Sequence, residues 1–148
     1  MYTGLLHSHR SLAYLFLLVA LTTVVLALIN RLQNKPTNKA LNGLTLATLI
    51  VGHLQLLLGL GLYFVGPWFG MLTENAGEVM RTAGLRFFAV EHISINLVGI
   101  ALVTVGRSRF KKLEADRRKQ QAVIAYVGLD FYLLPAACPG TDCSNFAA

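Results

Sequence analysis

The chain is poor in charge: 14% of its 148 residues are Asp, Glu, Lys or Arg. A soluble domain carries roughly 25%, so too little polar surface is available to face water all round. Cysteine is nearly absent, and two residues cannot make the disulfide framework of a small secreted protein. There is no Walker A loop, dinucleotide fingerprint, H-E-x-x-H helix or nucleophile elbow, so a soluble-type enzyme has no support. The net charge of +6 could suggest nucleic acid. The basic residues, however, stand in short blocks between long apolar runs, which is how membrane proteins encode orientation. No nucleic-acid partner is expected.

What the chain has in abundance is apolar sequence, 55% by residue. Residues 12–29 and 44–65 contain no charge at all. Residues 87–105 are interrupted by Glu91, His92 and Asn96, and residues 122–138 by Asp130, with Pro135 near their end. A helix needs about 20 mostly apolar residues to cross ~30 Å of hydrocarbon. Runs of this length lack the alternation of a barrel strand. The pattern predicts an all-α integral membrane protein, one domain over residues 1–148, with helices at about 5–30, 41–65, 84–106 and 120–137. The first run exceeds the ~7–15 apolar residues of a signal peptide and no A-x-A site follows, so it reads as a span.

The loops set the expected orientation. The first connection carries Arg31, Lys35 and Lys39 and no acid; the second, residues 66–83, is nearly balanced. The third, residues 107–119, holds Arg107, Arg109, Lys111, Lys112, Arg117, Arg118 and Lys119 against Glu114 and Asp116. Loops one and three are expected in the cytoplasm, and loop two and both termini outside. The result is an antiparallel, up-down four-helix transmembrane bundle in a bacterial inner membrane, its basic loop touching lipid headgroups. Gly66-Pro67 ends the second helix, since proline cannot continue it. Tyr63, Trp68 and Phe69 then stand where an outer aromatic belt belongs. A short surface helix is expected around residues 73–82. Cys138 and Cys143, in the tail at 138–148, do not match a C-x-x-C redox motif.

Polar residues at membrane depth are functional candidates, because an unpartnered one costs several kcal/mol. They are His53, Gln55, Glu91, His92, Ser94, Asn96 and Asp130, with His7 and His9 just before the first apolar run. All four histidines thus lie in or beside the bundle. Neutral imidazole ligates iron, copper or zinc, and two facing each other across a bundle can clamp a haem iron. Gly52, Gly59 and Gly66 form a stripe at seven-residue spacing, suited to close helix packing and also open to a flat ligand. His53 lies about 18 Å below the outer helix end and His92 about 8 Å, so the two match imperfectly in depth. His92 can instead meet His7 or His9 nearer the surface. His7, Ser11 and Tyr14 share one stripe, as do His92, Asn96 and Gly99, whereas Glu91 points about 100° away. Glu91 can bond Ser94, pair with Arg86, or orient a histidine. Singly, each histidine reads as a helix tie; together they open a ligand role. Asp130 should be neutral, paired or facing water, and it weakens the fourth span.

These residues also form an ordered set. Gly4-Leu-Leu-His-Ser-His9, Gly52-His-Leu-Gln-Leu-Leu-Leu-Gly59, Leu62-Tyr-Phe64, Arg86-Phe-Phe with Glu91-His92, and Thr104-Val-Gly-Arg-Ser108 resemble a family of small four-helix membrane proteins of Bacteroidota. Its members are commonly labelled cytochrome b-like or uncharacterised. The resemblance covers about the first three quarters of the chain. It implies a haem b protein, with His7, His9, His53, Glu91 and His92 at signature positions. The end departs from it: relatives close the fourth helix with an uncharged apolar run and Ile-Pro-Trp, where this chain has Asp130 and an unmatched tail. The resulting expectation is a b-type cytochrome-like electron carrier for a respiratory or quinone partner. His53 and His92 are the first-choice axial ligands of haem b, His7 or His9 the substitutes, Arg86 lies near the propionates, and Glu91 acts behind the ligands. The alternatives are a non-catalytic membrane subunit whose histidines tie helices together, and a small metal or proton transporter.

Overall fold

The computed structural model describes residues 2–133, and over them the chain is helical, with no strand. Four long helices carry the fold: α1 (Tyr2–Leu32), α2 (Lys39–Val65), α6 (His92–Lys112) and α7 (Asp116–Leu133). Between α2 and α6 the chain makes three short helices, α3 (Trp68–Glu74), α4 (Ala76–Arg81) and α5 (Ala83–Arg86), then one π-helical stretch, Phe87–Glu91. α1 packs on α2 and α7, and α6 packs on α7 and α2. The expected surface helix at 73–82 is instead two helices broken at Asn75. The basic segment at 107–119, expected as a loop, is mostly helical, because α6 continues to Lys112 and α7 starts at Asp116. Arg109, Lys111 and Lys112 in the last turn of α6 complement the negative end of its dipole. Cys138, Cys143 and the end of the expected fourth span lie outside the described residues.

Local chemistry fixes the turns. α1 ends with Asn34 in the left-handed region at φ 52, where Lys35 N–H reaches the Asn30 carbonyl at 2.8 Å and Asn34 N–H that of Arg31 at 3.3 Å. This is a Schellman cap, with asparagine where glycine is commoner. Asn38 then caps α2, its side chain accepting from Leu41 N–H at 2.9 Å. Arg107 donates to the Asn42 carbonyl, the Asn42 side chain and the Thr45 hydroxyl, at 3.2, 2.7 and 2.6 Å, and so pins α6 to the first turns of α2.

Burial runs opposite to that of a soluble bundle. α1 turns Phe16, Ala20, Thr23, Ala27 and Asn30 inward, at alternating steps of four and three, and leaves Leu15, Leu18, Leu21, Val25 and Leu28 exposed. α6 repeats this, burying Gly99, Val103, Gly106 and Phe110 while exposing Leu97, Val98 and Val105. Small side chains let the helices approach closely and the large aliphatic ones face outward, the pattern expected of helices packed within hydrocarbon. Tyr2–Leu32, Lys39–Val65 and Ala83–Lys112 are long and apolar enough to cross a membrane. α7, the expected fourth span, is not among them over its described length: Asp116, Arg117, Arg118 and Lys119 fill its first turn, and Asp130 sits near its end.

Candidate functional site

The glycine stripe of α2 has a partner that the sequence also contains at seven-residue spacing. Tyr2, His9 and Phe16 of α1 lie against Gly66, Gly59 and Gly52 respectively. A Cβ on Gly59 would stand 3.0 Å from Cε1 of His9, and one on Gly52 would stand 3.0 Å from Cε2 of Phe16. The space left by the missing side chains is therefore filled by three rings of α1. It is a packing seam, and the alternative of a slot for a flat ligand is not the one this fold takes.

The middle ring of that seam carries the site. His9 stands edge-on to His92 of α6, ring centroids 6.4 Å apart and planes at 67°. Nε2 of Gln55 lies 3.2 Å from Nε2 of His9. Phe87 and Phe88 flank His92 at 5.8 and 6.4 Å, and Trp68 stacks on Phe88 at 5.0 Å. His92 starts α6 directly after the π-helical turn, which is anchored by the Tyr63 hydroxyl donating to the Ala89 carbonyl at 3.0 Å. Such turns re-aim the side chains that follow and are frequent at functional positions.

The expected pairing of His53 with His92 is not the one made here; His9, held as a substitute, stands beside His92. Two causes act together. His53 is deeper than His92 by the helical rise, and it neighbours buried Gly52, so its ring turns about 100° away from the seam. It is exposed, with Nδ1 donating to the Leu49 carbonyl at 2.8 Å. His7 is exposed on the same outward stripe as Ser11 and Tyr14, apart from the His9–His92 contact. Of the three roles open to Glu91, the ion pair is formed: Arg86 Nε lies 2.7 Å from its Oε1, and Arg86 also donates to the Met80 carbonyl at 3.0 Å. Both side chains are over a third exposed, so this pair contributes little stability and mainly ties the end of α5 to the end of the π-helical stretch.

The donor set is two imidazoles on separate helices. Two imidazoles sharing one metal have ring centroids roughly 5–6.5 Å apart, given metal–nitrogen bonds of ~2.0–2.1 Å, and the observed separation lies within that range. Nδ1 of His9 and Oε1 of Gln55 are buried and meet no hydrogen-bond partner among the described residues. A metal-binding histidine characteristically engages one ring nitrogen in a hydrogen bond and keeps the other for the metal. In His9 the amide of Gln55 donates to Nε2, which places the ring proton of a neutral imidazole on Nδ1. No cluster of three or more His, Cys, Asp or Glu suited to a metal ion occurs among the described residues.

Sequence reasoning missed Gln55 as the partner of His9, although its depth had marked it. The ring spacing 2–9–16 against the glycine spacing 52–59–66 was the available signal, since matched heptads on neighbouring helices predict contact. Comparison with family models, with curated proteins and with solved structures finds no match for this chain.

Proposed function

We propose that this protein is a b-type cytochrome-like electron carrier of a bacterial inner membrane, with His9 and His92 as the axial pair. The observation that carries the reading is the meeting of these two imidazoles in the seam between α1, α2 and α6. The chain is read as an antiparallel four-helix bundle with both termini outside. Supporting this, Trp68, Phe69 and Phe88 gather at one end, while Arg31, Lys35, Arg107, Arg109 and Lys111 gather at the other.

In this reading Gln55 holds the His9 ring in one orientation, and Gly59 gives it room to lie against α2. Phe87, Phe88 and Trp68 keep water from His92. The half-exposed Arg86 stands at the outer end, where anionic propionates belong, and Glu91 fixes its place. Haem, when bound, supplies one-electron chemistry, and the protein sets its potential through ligand type and a dry surround. A respiratory or quinone partner would exchange the electron.

The test is a dithionite-reduced minus oxidised visible spectrum of the haem-supplied, detergent-purified protein. Sharp α and Soret bands at one haem per chain are expected, lost in His9→Ala and His92→Ala and kept in His53→Ala and His7→Ala. A flat spectrum from folded protein refutes the reading. It would leave a non-catalytic membrane subunit, which the Gln55–His9 contact and the Gly59 seam favour, since both serve a histidine that only ties helices.

A further inference from the structure

At the end of the bundle opposite His9 and His92, the connection from α1 to α2 meets the start of α7. Asn34, Lys35 and Pro36 on one side and Asp116, Arg117 and Gln120 on the other line a cleft of about 250 Å³. Hydrogen bonds hold its walls together. Arg117 Nη2 donates to the Asn34 side chain at 3.0 Å, and Gln120, 1% exposed, donates its amide to the Lys35 carbonyl at 2.9 Å. Arg31 stands at the rim, donating to the Arg117 carbonyl at 3.4 Å and to the side-chain oxygen of Gln121 at 2.9 and 3.1 Å. Three cations, Arg31, Lys35 and Arg117, thus gather round the cleft against one acid, Asp116. Asp116 makes no ion pair with them, since among the described residues the one ion pair joins Arg86 to Glu91.

We propose that this cleft binds the headgroup of one anionic phospholipid, its phosphate between Lys35 and Arg117. Basic pockets between membrane helices at the headgroup level take such lipids. The level is right, because the cleft opens where α1 ends, at Leu32, which is 72% exposed. The lipid also finds a place for its tail. Helical spacing puts Leu28 one turn inward from Arg31 on α1, and Ala125 one turn inward from Gln121 on α7, both exposed. An apolar strip therefore runs into the membrane from the cationic rim, which a free phosphate ion would leave unused. Arg117 offers its planar fork to phosphate oxygens and Lys35 a mobile point charge. A zwitterionic headgroup carries its own ammonium, which the excess of cations opposes. The site is thus narrower than the general attraction of a basic segment for a membrane surface, and it rests on neither haem nor the histidines.

Native mass spectrometry of the full chain in detergent tests this, with phosphatidylglycerol and phosphatidylethanolamine of equal acyl length offered together. One phosphatidylglycerol per chain should be retained, with a several-fold preference over phosphatidylethanolamine. Lys35→Gln should lower that preference several-fold, and Asp116→Asn should raise it. Lys111→Gln removes the same charge from the exposed last turn of α6, outside the cleft, and should leave it unchanged. The Lys35 side chain is exposed, and its backbone bonds to Asn30 and Gln120 do not need it, so Lys35→Gln keeps the fold. Equal losses in Lys35→Gln and Lys111→Gln would mean a diffuse attraction and overturn the site, as would retention of both lipids alike. Inorganic phosphate that displaces the lipid at equal concentration would make the cleft a site for the soluble ion and overturn the lipid assignment.

Discussion

Alanine at Gly52 places a methyl group 2.8 Å from Cδ1 of Ile100 and 3.0 Å from Cε2 of Phe16, where carbon atoms at rest keep ~3.5–4.0 Å. Ile100 can turn its terminal methyl aside. Phe16 cannot, since its ring is 5% exposed and fixed in the seam. Overpacking of this kind costs about 1–3 kcal/mol, and replacing a mid-helix glycine by alanine returns ~1 kcal/mol. The net expectation for Gly52→Ala is a loss of about 0–2 kcal/mol, and Gly59→Ala, pressing on His9 at 3.0 Å, should fall in the same range. The chain supplies its own control. A Cβ on Gly43 or Gly128 meets nothing within 4 Å. Those two substitutions should therefore stabilise, by up to ~1 kcal/mol. Unfolding by increasing SDS mole fraction in mixed micelles, followed by far-ultraviolet circular dichroism, measures all four. If the seam variants shift the midpoint in the same direction and amount as Gly43→Ala, the rings of α1 do not pack on the glycines of α2 and the seam is wrong.

Thr23 and Thr48 are fully buried with their oxygens 2.9 Å apart, so one hydroxyl donates across to the other, which donates in turn to the carbonyl one turn back in its own helix. Thr23→Val should cost about 0.6–1.7 kcal/mol, the range for interhelical hydrogen bonds in membranes, and a double-mutant cycle with Thr48→Val should show coupling; additivity within error would refute it. Arg107→Leu removes three donated bonds to the first turns of α2 and should cost about 1.5–3 kcal/mol. Arg107→Lys should recover only part of this, because a single ammonium cannot span Asn42 and Thr45 as the guanidinium fork does; full recovery would show that charge alone matters.

Much of this fold is legible in apolar run length, because hydrocarbon thickness sets a single scale that residues 12–29 and 44–65 satisfy without exception. The helix ends were less so. The lysines and arginines after Thr104 read as a loop by charge, yet helix propensity and dipole carry α6 through them to Lys112. Within the site, composition marks the histidines but not their pairing. One residue of rotation separates Gly52, which faces α1, from His53, which faces outward, and depth counted along a straight helix has no term for the π turn that precedes His92. Contacts between distant segments, such as Gln55 with His9, depend on that rotation, and their one trace in the sequence is the matched seven-residue spacing of 2–9–16 and 52–59–66.

The π-helical stretch Phe87–Glu91 has one consequence for how this chain tolerates change in length. A π turn contains one residue more than the α-helical turn it interrupts. Losing one residue there would restore an unbroken α-helix and leave the inner seam of Gly99, Val103, Gly106 and Phe110 in register. The segment from Trp68 to Arg86 would keep its rotational phase relative to that seam, because the π turn and the α turn that replaces it each complete one revolution. A single deletion at this point is thus absorbed, whereas one anywhere between His92 and Phe110 would shift part of the helix out of step with α7.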